Sequence, residues 1–201
     1  GLLQGQNLAS ILASLTLPVV LIDNFDDLSI PFRAVAADIV TGEKAVLEGG
    51  SLSTAMRASM SIPGVFAPVE LEGRLLVDGG IARNLPVDVV REMGAEVVIA
   101  VDISTPLLGR EGLQSALPIT MQVTTILTRS NTEQQIATLG GKDILIVPAL
   151  GKLSSGDFSQ AGAAVSIGET AAREAAARLS VLSLGEEGYR THLLARSRPD
   201  E

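Results

Sequence analysis

One stretch limits what this chain can become: Leu75-Leu76-Val77-Asp78-Gly79-Gly80, an apolar run cut off by one carboxylate and two glycines. The run reads as a buried strand. The paired glycines let the backbone turn sharply and let another group approach it closely. A carboxylate where a strand leaves the core of an α/β fold sits where such folds bind ligands. The plainer alternative is a surface turn in which Asp78 bonds only its own backbone.

Such a strand needs a core, and the composition supplies one. The 201 residues are 46% hydrophobic and 19% charged, which suits one domain of ordinary size. Aromatic residues make up 2% and tryptophan is absent, so the core must be Leu, Ile, Val and Ala, with close Ala/Gly packing.

Along the chain, Gly1 to Ser14 reads as a loop entering a short helix with Leu8, Ile11, Leu12 and Leu15 on one face, stopped by Pro18. Val19 to Ile22 is a short strand, Phe32 to Val40 a second, and Ala45 to Leu47 pairs with it across Thr41-Gly42. Ser51 or Ser53 caps a helix to about Met60, and Pro63-Gly64 ends it. Val65 to Leu71 and Arg74 to Val77 form a hairpin about Glu72-Gly73. A helix from Asn84-Leu85-Pro86 runs to Met93, with Gly94 as its C-cap. Val97 to Ile103 is the kind of run covered on both faces. Leu113 to Leu139 is helical, Ile144 to Val147 is the last strand, and Ser154 to Asp157 caps an Ala-rich helix from Phe158 to about Leu182. The small face of that helix, Ala161, Ala164, Gly168 and Ala172, suits close packing, and Glu169, Arg173, Glu174 and Arg178 exclude a membrane span. Glu186 to Arg196 is one more helix before a polar tail. Strands alternating with helices give an α/β layered fold, and the hairpins make its sheet mixed.

Charge narrows the partners. A net charge of -8 argues against nucleic acid and against electrostatic recruitment to anionic membranes. There is no cysteine, hence no disulfide framework and no thiol chemistry. No stretch has the length of a membrane-spanning helix and no signal peptide is present. The chain starts at Gly1 without a methionine, and the expectation is that the native N-terminus lies upstream.

Three runs carry a resemblance. Pro31-Phe32-Arg33-Ala34-Val35-Ala36-Ala37-Asp38, Met56-Arg57-Ala58-Ser59-Met60-Ser61-Ile62-Pro63-Gly64-Val65-Phe66-Ala67-Pro68 and Val77-Asp78-Gly79-Gly80-Ile81-Ala82-Arg83-Asn84-Leu85-Pro86-Val87 resemble the bacterial patatin-like phospholipases, and the likeness continues through Met93-Gly94-Ala95 and Val98-Ile99-Ala100-Val101-Asp102. The resemblance implies a patatin-like three-layer α/β fold with a central mixed sheet covered by helices on both faces. It implies a lipid acyl hydrolase of phospholipase A or lysophospholipase type, working by a Ser-Asp dyad without a cofactor or metal. The family's aspartate lies in an Asp-Gly-Gly or Asp-Gly-Ala motif, here Asp78-Gly79-Gly80. Its serine lies in a Gly-x-Ser-x-Gly elbow, which is absent from this sequence, as is its glycine-rich oxyanion loop. In the family both lie upstream of the region that begins here. The expectation is therefore a C-terminal part of a patatin domain over residues 1–182, with 183–201 a helical and polar tail leading out. Its partners would be the missing N-terminal part of the same domain and a phospholipid or lysophospholipid substrate, with transient contact to a membrane surface. A homodimer is permitted, though no residue argues for it.

Thr105-Pro106-Leu107-Leu108 and the segment from Asp157-Phe158 to Tyr189 resemble patatin-like proteins that continue into a periplasmic-type module and an outer-membrane barrel, although Ala149 departs from the acidic residue expected there. This tilts localisation towards an exported, cell-envelope passenger over the cytoplasm.

Serine ester hydrolysis needs a base for the hydroxyl proton and donors for the oxyanion. Without a histidine the carboxylate is that base, and a free aspartate, at about 3.9, is a weak one. Burial against Leu75, Leu76, Val77 and Ile81 would raise the pKa of Asp78, while Gly79 and Gly80 leave room for an acyl chain and the incoming serine. Asn84 is either a hydrogen-bonding brace for the Asp78 loop or a helix N-cap. Asp38 and Asp102 also close apolar strands. They either cap loops beside the site or join Asp78 around a metal, and the loop-capping reading is preferred. Ser59 and Ser61 lie in no strand-turn-helix elbow and read as packing and capping near Pro63. The one histidine, His192, reads as a surface residue of the tail helix. Three functions follow: a serine lipid hydrolase completed by residues outside this chain, a non-catalytic lipid- or protein-binding domain of the same fold, and a metal-dependent hydrolase.

Overall fold

The computed structural model describes residues 5–151, 153 and 160–196. They fall into two compact units, one from Gly1–Ala82 with Leu184–Glu201 and the other Arg83–Ser183.

The first unit is built on a four-stranded sheet, β1 (Ala34–Asp38), β2 (Lys44–Leu47), β3 (Val69–Leu71) and β4 (Arg74–Asp78). The order is β2-β1-β4-β3, and every pair is antiparallel. Its turns follow local chemistry. Glu72 and Gly73 take φ of 53° and 75°, the two left-handed positions of a tight hairpin turn between β3 and β4. Helix α1 (Gln6–Thr16) packs on α2 (Leu52–Ser59), whose N-cap Ser51 accepts from the Thr54 N–H at 3.3 Å. Ala55 and Ala58 of α2 meet Ala34, Ala36, Ala45, Leu47 and Leu76 of the sheet, with Phe25 beside them. Alanine at so many contact positions lets helix and sheet approach closely, the packing that an aromatic-poor composition demands. Val19 to Ile22 is not the strand the apolar run suggests. Pro18 fixes its φ and has no N–H to give a ladder. The Val20 N–H donates to Leu17 and the Ile22 N–H to Val19, so the run folds as a tight 3₁₀ turn. Helix α8 (Glu186–Arg196) belongs to this unit.

Helix α3 (Gly80–Arg83) leads out of β4 to the second unit. That unit holds α4 (Val87–Glu92), β5 (Ile99–Val101), α5 (Ala116–Ile136), β6 (Ile144–Ile146), α6 (Ala161–Glu174) and α7 (Ala176–Leu179). Strands β5 and β6 pair in parallel, with α5 in the connection between them, as a parallel pair requires. Val87, Val98 and Ala100 form the core beneath them, with Leu85, Val90, Ala95, Leu139 and Leu145 packed against it. At the head of β6 the Asp143 carboxylate accepts from the Gly140 N–H at 2.6 Å, the Val98 N–H at 2.8 Å and Arg91 at 2.6 and 2.7 Å. The Asp143 carbonyl takes a further bond from Arg178 of α7 at 2.9 Å.

Two expectations for this unit change. The run Val97 to Ile103 is covered on one face only: Ala100 is 4% exposed, while Ile99 and Val101 remain 49% and 46% exposed. The small face of α6 is at most half-buried, and none of that helix's residues is fully buried. Its expected cap at Ser154 to Asp157, with Phe158, lies outside the described residues. The α/β class with both strand directions stands as anticipated, its strands divided between an antiparallel sheet and a parallel pair. Among the described residues no helix is long and apolar enough to cross a membrane.

Candidate active site

Asp78 ends β4, a central strand of the first sheet, opposite Ala36 of β1. Leu76 and Val77 before it are fully buried, so the chain leaves the core at the carboxylate itself. The Asp78 N–H donates to the Ser61 carbonyl at 2.9 Å, and the carboxylate Oδ1 accepts from the Gly80 N–H at 2.7 Å. That second bond is the local turn bond of the plainer alternative. Burial adds what a surface turn lacks: it raises the Asp78 pKa above the ordinary aspartate value, and the Gly80 N–H pulls it only partly back. The carboxylate is thus pushed towards greater basicity, the direction that proton abstraction requires.

The two glycines do different work. A Cβ on Gly79 would run into the Val35 carbonyl of β1, so the room its missing side chain leaves is already filled by backbone. Gly79 therefore serves the packing of turn on strand, and the expectation that it leaves space for an acyl chain or a serine is corrected. Gly80 opens α3 and supplies the N–H that orients Asp78.

The same carbonyl is pinned from the other side, because the Ser59 hydroxyl donates to Val35 O at 2.7 Å. Ser61 is fully buried. Its hydroxyl donates to the Arg57 carbonyl at 2.8 Å and accepts from the Arg57 guanidinium, which also reaches the Ala67 carbonyl at 3.3 Å and lies 5.0 Å from the Phe66 ring centroid. Arg57 is itself buried, and desolvation lowers its pKa. The segment whose carbonyl holds the Asp78 N–H is thus tied to α2 through a buried cation. Ser59 and Ser61 pack as their sequence context suggests, and Arg57 joins them as a buried partner that no motif marks. Its signal was the spacing of four between Arg57 and Ser61, which brings them together over one helical turn.

The remaining candidates separate. Asp38 is buried at the end of β1, and its carboxylate accepts from the Val40 N–H at 3.0 Å, closing its own turn. The register Ala36↔Asp78 and Asp38↔Leu76 makes Asp38 and Asp78 diagonal neighbours on one sheet face. Asp102, in the second unit, likewise accepts from the Ser104 N–H at 2.9 Å. Among the described residues no group of three or more His, Cys, Asp or Glu side chains is placed to hold a metal ion. Asn84 is not the N-cap of α4, where Pro86 stands. Its side chain donates to the Thr132 hydroxyl and its backbone N–H to Asn131 of α5, each at 2.9 Å. His192 is exposed on α8.

Residues 1–91 match the family described as patatin-like phospholipase. An uncharacterized NTE family protein of Mycobacterium tuberculosis (strain ATCC 25618 / H37Rv) is 38% identical over 104 residues, 52% of this chain and 28% of that protein. A second, from Mycobacterium bovis, is 41% identical over 88 residues, 44% of this chain and 15% of that protein. Patatin-like phospholipase domain-containing protein 7 of Mus musculus is 45% identical over 82 residues, 40% of this chain and 6% of the relative. The aligned piece is thus between 6% and 28% of the length of these relatives. The chain is thus similar to the patatin-like phospholipases over residues 1–91, the part that carries the Asp-Gly-Gly turn at the end of a buried strand.

Proposed function

We propose that this chain contributes the catalytic carboxylate of a lipid acyl hydrolase. The likeness of residues 1–91 to the patatin-like phospholipases supports lipid hydrolysis as the activity at its coarsest level. The finer reading is that Asp78 is the base of a Ser-Asp dyad whose serine and oxyanion donors come from outside residues 1–201, acting on a phospholipid or lysophospholipid. One observation carries it: Asp78 is the carboxylate that stands at the end of a buried strand, fixed by the Gly80 N–H and made more basic by burial.

In this reading the serine hydroxyl gives its proton to Asp78 as its oxygen attacks the ester carbonyl. The protonated acid then returns the proton to the departing alcohol or lysolipid oxygen, and water repeats the cycle on the acyl-enzyme. The Gly80 bond to Oδ1 leaves Oδ2 as the oxygen for the proton. Alone, the 201 residues contain no Gly-x-Ser-x-Gly elbow, so the isolated chain is expected to hydrolyse no esters.

The test is Asp78→Asn in the complete gene product, assayed on micellar and vesicular phospholipid. Loss of turnover with the fold retained supports the dyad. Unchanged turnover removes it. The absence of the elbow from these residues favours a second reading, a non-catalytic domain of the same fold that binds lipid or protein. Reading the gene upstream separates the two, since a Gly-x-Ser-x-Gly there is required by the first and not by the second.

A further inference from the structure

A carboxylate points where its backbone lets it, and the backbone of Asp78 is held past the end of a ladder. Strands β3 and β4 pair from Leu71↔Arg74 to Val69↔Leu76. Beyond that last pair the Asp78 N–H donates to the Ser61 carbonyl at 2.9 Å, a loop oxygen in the place of a strand. The position of this carbonyl therefore sets how β4 ends. Ser61 stands near the start of the stretch that joins α2 to β3, a stretch that also holds Pro63, Gly64 and Pro68. Prolines give no N–H, so a regular ladder cannot fix such a stretch. Arg57 closes it across its ends. The guanidinium donates to the Ser61 hydroxyl at one end and to the Ala67 carbonyl, at 3.3 Å, at the other. The Ser61 hydroxyl donates in turn to the Arg57 carbonyl at 2.8 Å. The Phe66 ring lies against the guanidinium, and Gly5 sits so near it that a Cβ there would collide with the group.

At 7% exposure Arg57 is not offered to a substrate phosphate. Nor is plain packing a sufficient reason for it. Burying a guanidinium costs free energy, and an apolar side chain of similar volume fills such a site at less cost. What arginine adds is a planar fork that gives to two acceptors at once, which the point charge of a lysine does not reproduce. We infer that Arg57 is a positioning residue for Asp78: it clips residues 61–67 across their ends and so fixes the Ser61 carbonyl that receives the Asp78 N–H. This rests on the reading of Asp78 as the base of the dyad. The action runs through the backbone and not through the charge of Arg57, because the groups that shift the Asp78 pKa are its burial and the Gly80 N–H.

The test is Arg57→Lys in the complete gene product, which keeps the charge and loses the fork. It should lower kcat about tenfold and leave KM unchanged. The acid limb of the kcat–pH profile should move to lower pH, because a loosened turn admits water to Asp78 and relieves the burial that raises its pKa. Hydrogen exchange at the Asp78 amide should quicken about tenfold relative to the Leu76 and Val77 amides. A merely structural role would lower the thermal midpoint and move none of these, and that result overturns the inference, as does a change confined to KM. Ser61→Ala is the milder variant. It removes the hydroxyl that Arg57 grips and keeps the carbonyl, so the same changes should appear in smaller size. If Arg57→Lys does not fold, Ser61→Ala decides alone, and an unmoved acid limb with an unmoved Asp78 amide ends the inference. Asp78→Asn keeps the two questions apart. Full activity in that variant removes the dyad, while the Asp78 amide in Arg57→Lys still reports the positioning. An inactive Asp78→Asn beside an Arg57→Lys with unaltered kcat, acid limb and amide removes the positioning alone.

Discussion

Two strand-terminal carboxylates, Asp78 in the first unit and Asp143 in the second, are treated in opposite ways. Asp143, at the head of β6, accepts two backbone N–H groups and a guanidinium, and its pKa falls, the Gly140 and Val98 amides being the leading causes. Asp78, at the end of β4, accepts one N–H and is otherwise pressed by burial, and its pKa rises. A fully satisfied carboxylate stays ionised and holds structure together. A buried carboxylate given fewer partners than it can use holds its proton more readily. The sheets differ in the same sense: the antiparallel one has β1 buried throughout, and the parallel pair leaves Ile99 and Val101 about half exposed.

The strongest way to break this contrast is to remove the Asp78 charge. Asp78→Asn in the complete gene product should lower kcat by about 10²–10⁴-fold while raising thermal stability at neutral pH by about 1 kcal/mol, because a desolvated charge is removed. Steady-state kinetics and thermal unfolding of the same sample check both, and a variant that loses activity and stability together would mean Asp78 is structural. The sign is consistent with the raised pKa. The cost of ionising Asp78 is absent below its ordinary value of 3.8 and is present in full above the raised one, so stability from this group falls as pH rises through that window.

Next in size is the difference between the two cores. Leu76→Ala, at a fully buried site, should cost about 2–5 kcal/mol in the isolated chain. Ile99→Ala, at the open edge, should cost about 1 kcal/mol or less there. Urea unfolding of both variants decides, and equal losses would mean β5 is covered in the isolated chain. Asp143 carries the opposite pH sign to Asp78. Its lowered pKa gives stability that is present above 3.8 and is lost as pH falls below it through the folded value. Asp143→Asn should flatten the acid limb of the unfolding curve, read by far-ultraviolet dichroism between pH 5 and pH 2, and an unaltered limb would assign acid unfolding elsewhere. A comparably small effect belongs to Ser59→Ala, about 1 kcal/mol for the lost bond to the Val35 carbonyl; a loss several times larger would mean that carbonyl holds the whole Asp78 turn.

What could be read from the residues alone divides along a physical line. Features set by neighbours in sequence were legible: the Ser51 cap, the Glu72-Gly73 turn, Gly94 after α4 with its φ of 91°, and the apolar run that ends at Asp78. Features set across the fold were not. Gly79 read as open space because nothing in the sequence says that the Val35 carbonyl occupies it. Val19 to Ile22 read as a strand because an apolar run looks alike in a sheet and in a 3₁₀ turn, and Pro18 decided for the turn. Val97 to Ile103 read as covered on both faces because composition records which residues seek cover and not what provides it. Asn84 is a bonding residue whose partners, Asn131 and Thr132, lie 47 and 48 positions away, beyond the reach of any local pattern.

The bonds around Asp143 also set a schedule. Arg91 and Val98 precede it by 52 and 45 positions, and Arg178 follows it by 35, whereas the turn between β3 and β4 closes over adjacent residues. Distant pairings form slowly because the loop must close before any bond rewards it. As the chain leaves the ribosome, the hairpin carrying Asp78 can form while the second unit is still being made. Asp143 meets its earlier partners on emergence and receives Arg178 only when α7 has been synthesised. Truncations ending before residue 178 would therefore yield a nascent chain with its first sheet formed and the bonds at the head of β6 incomplete.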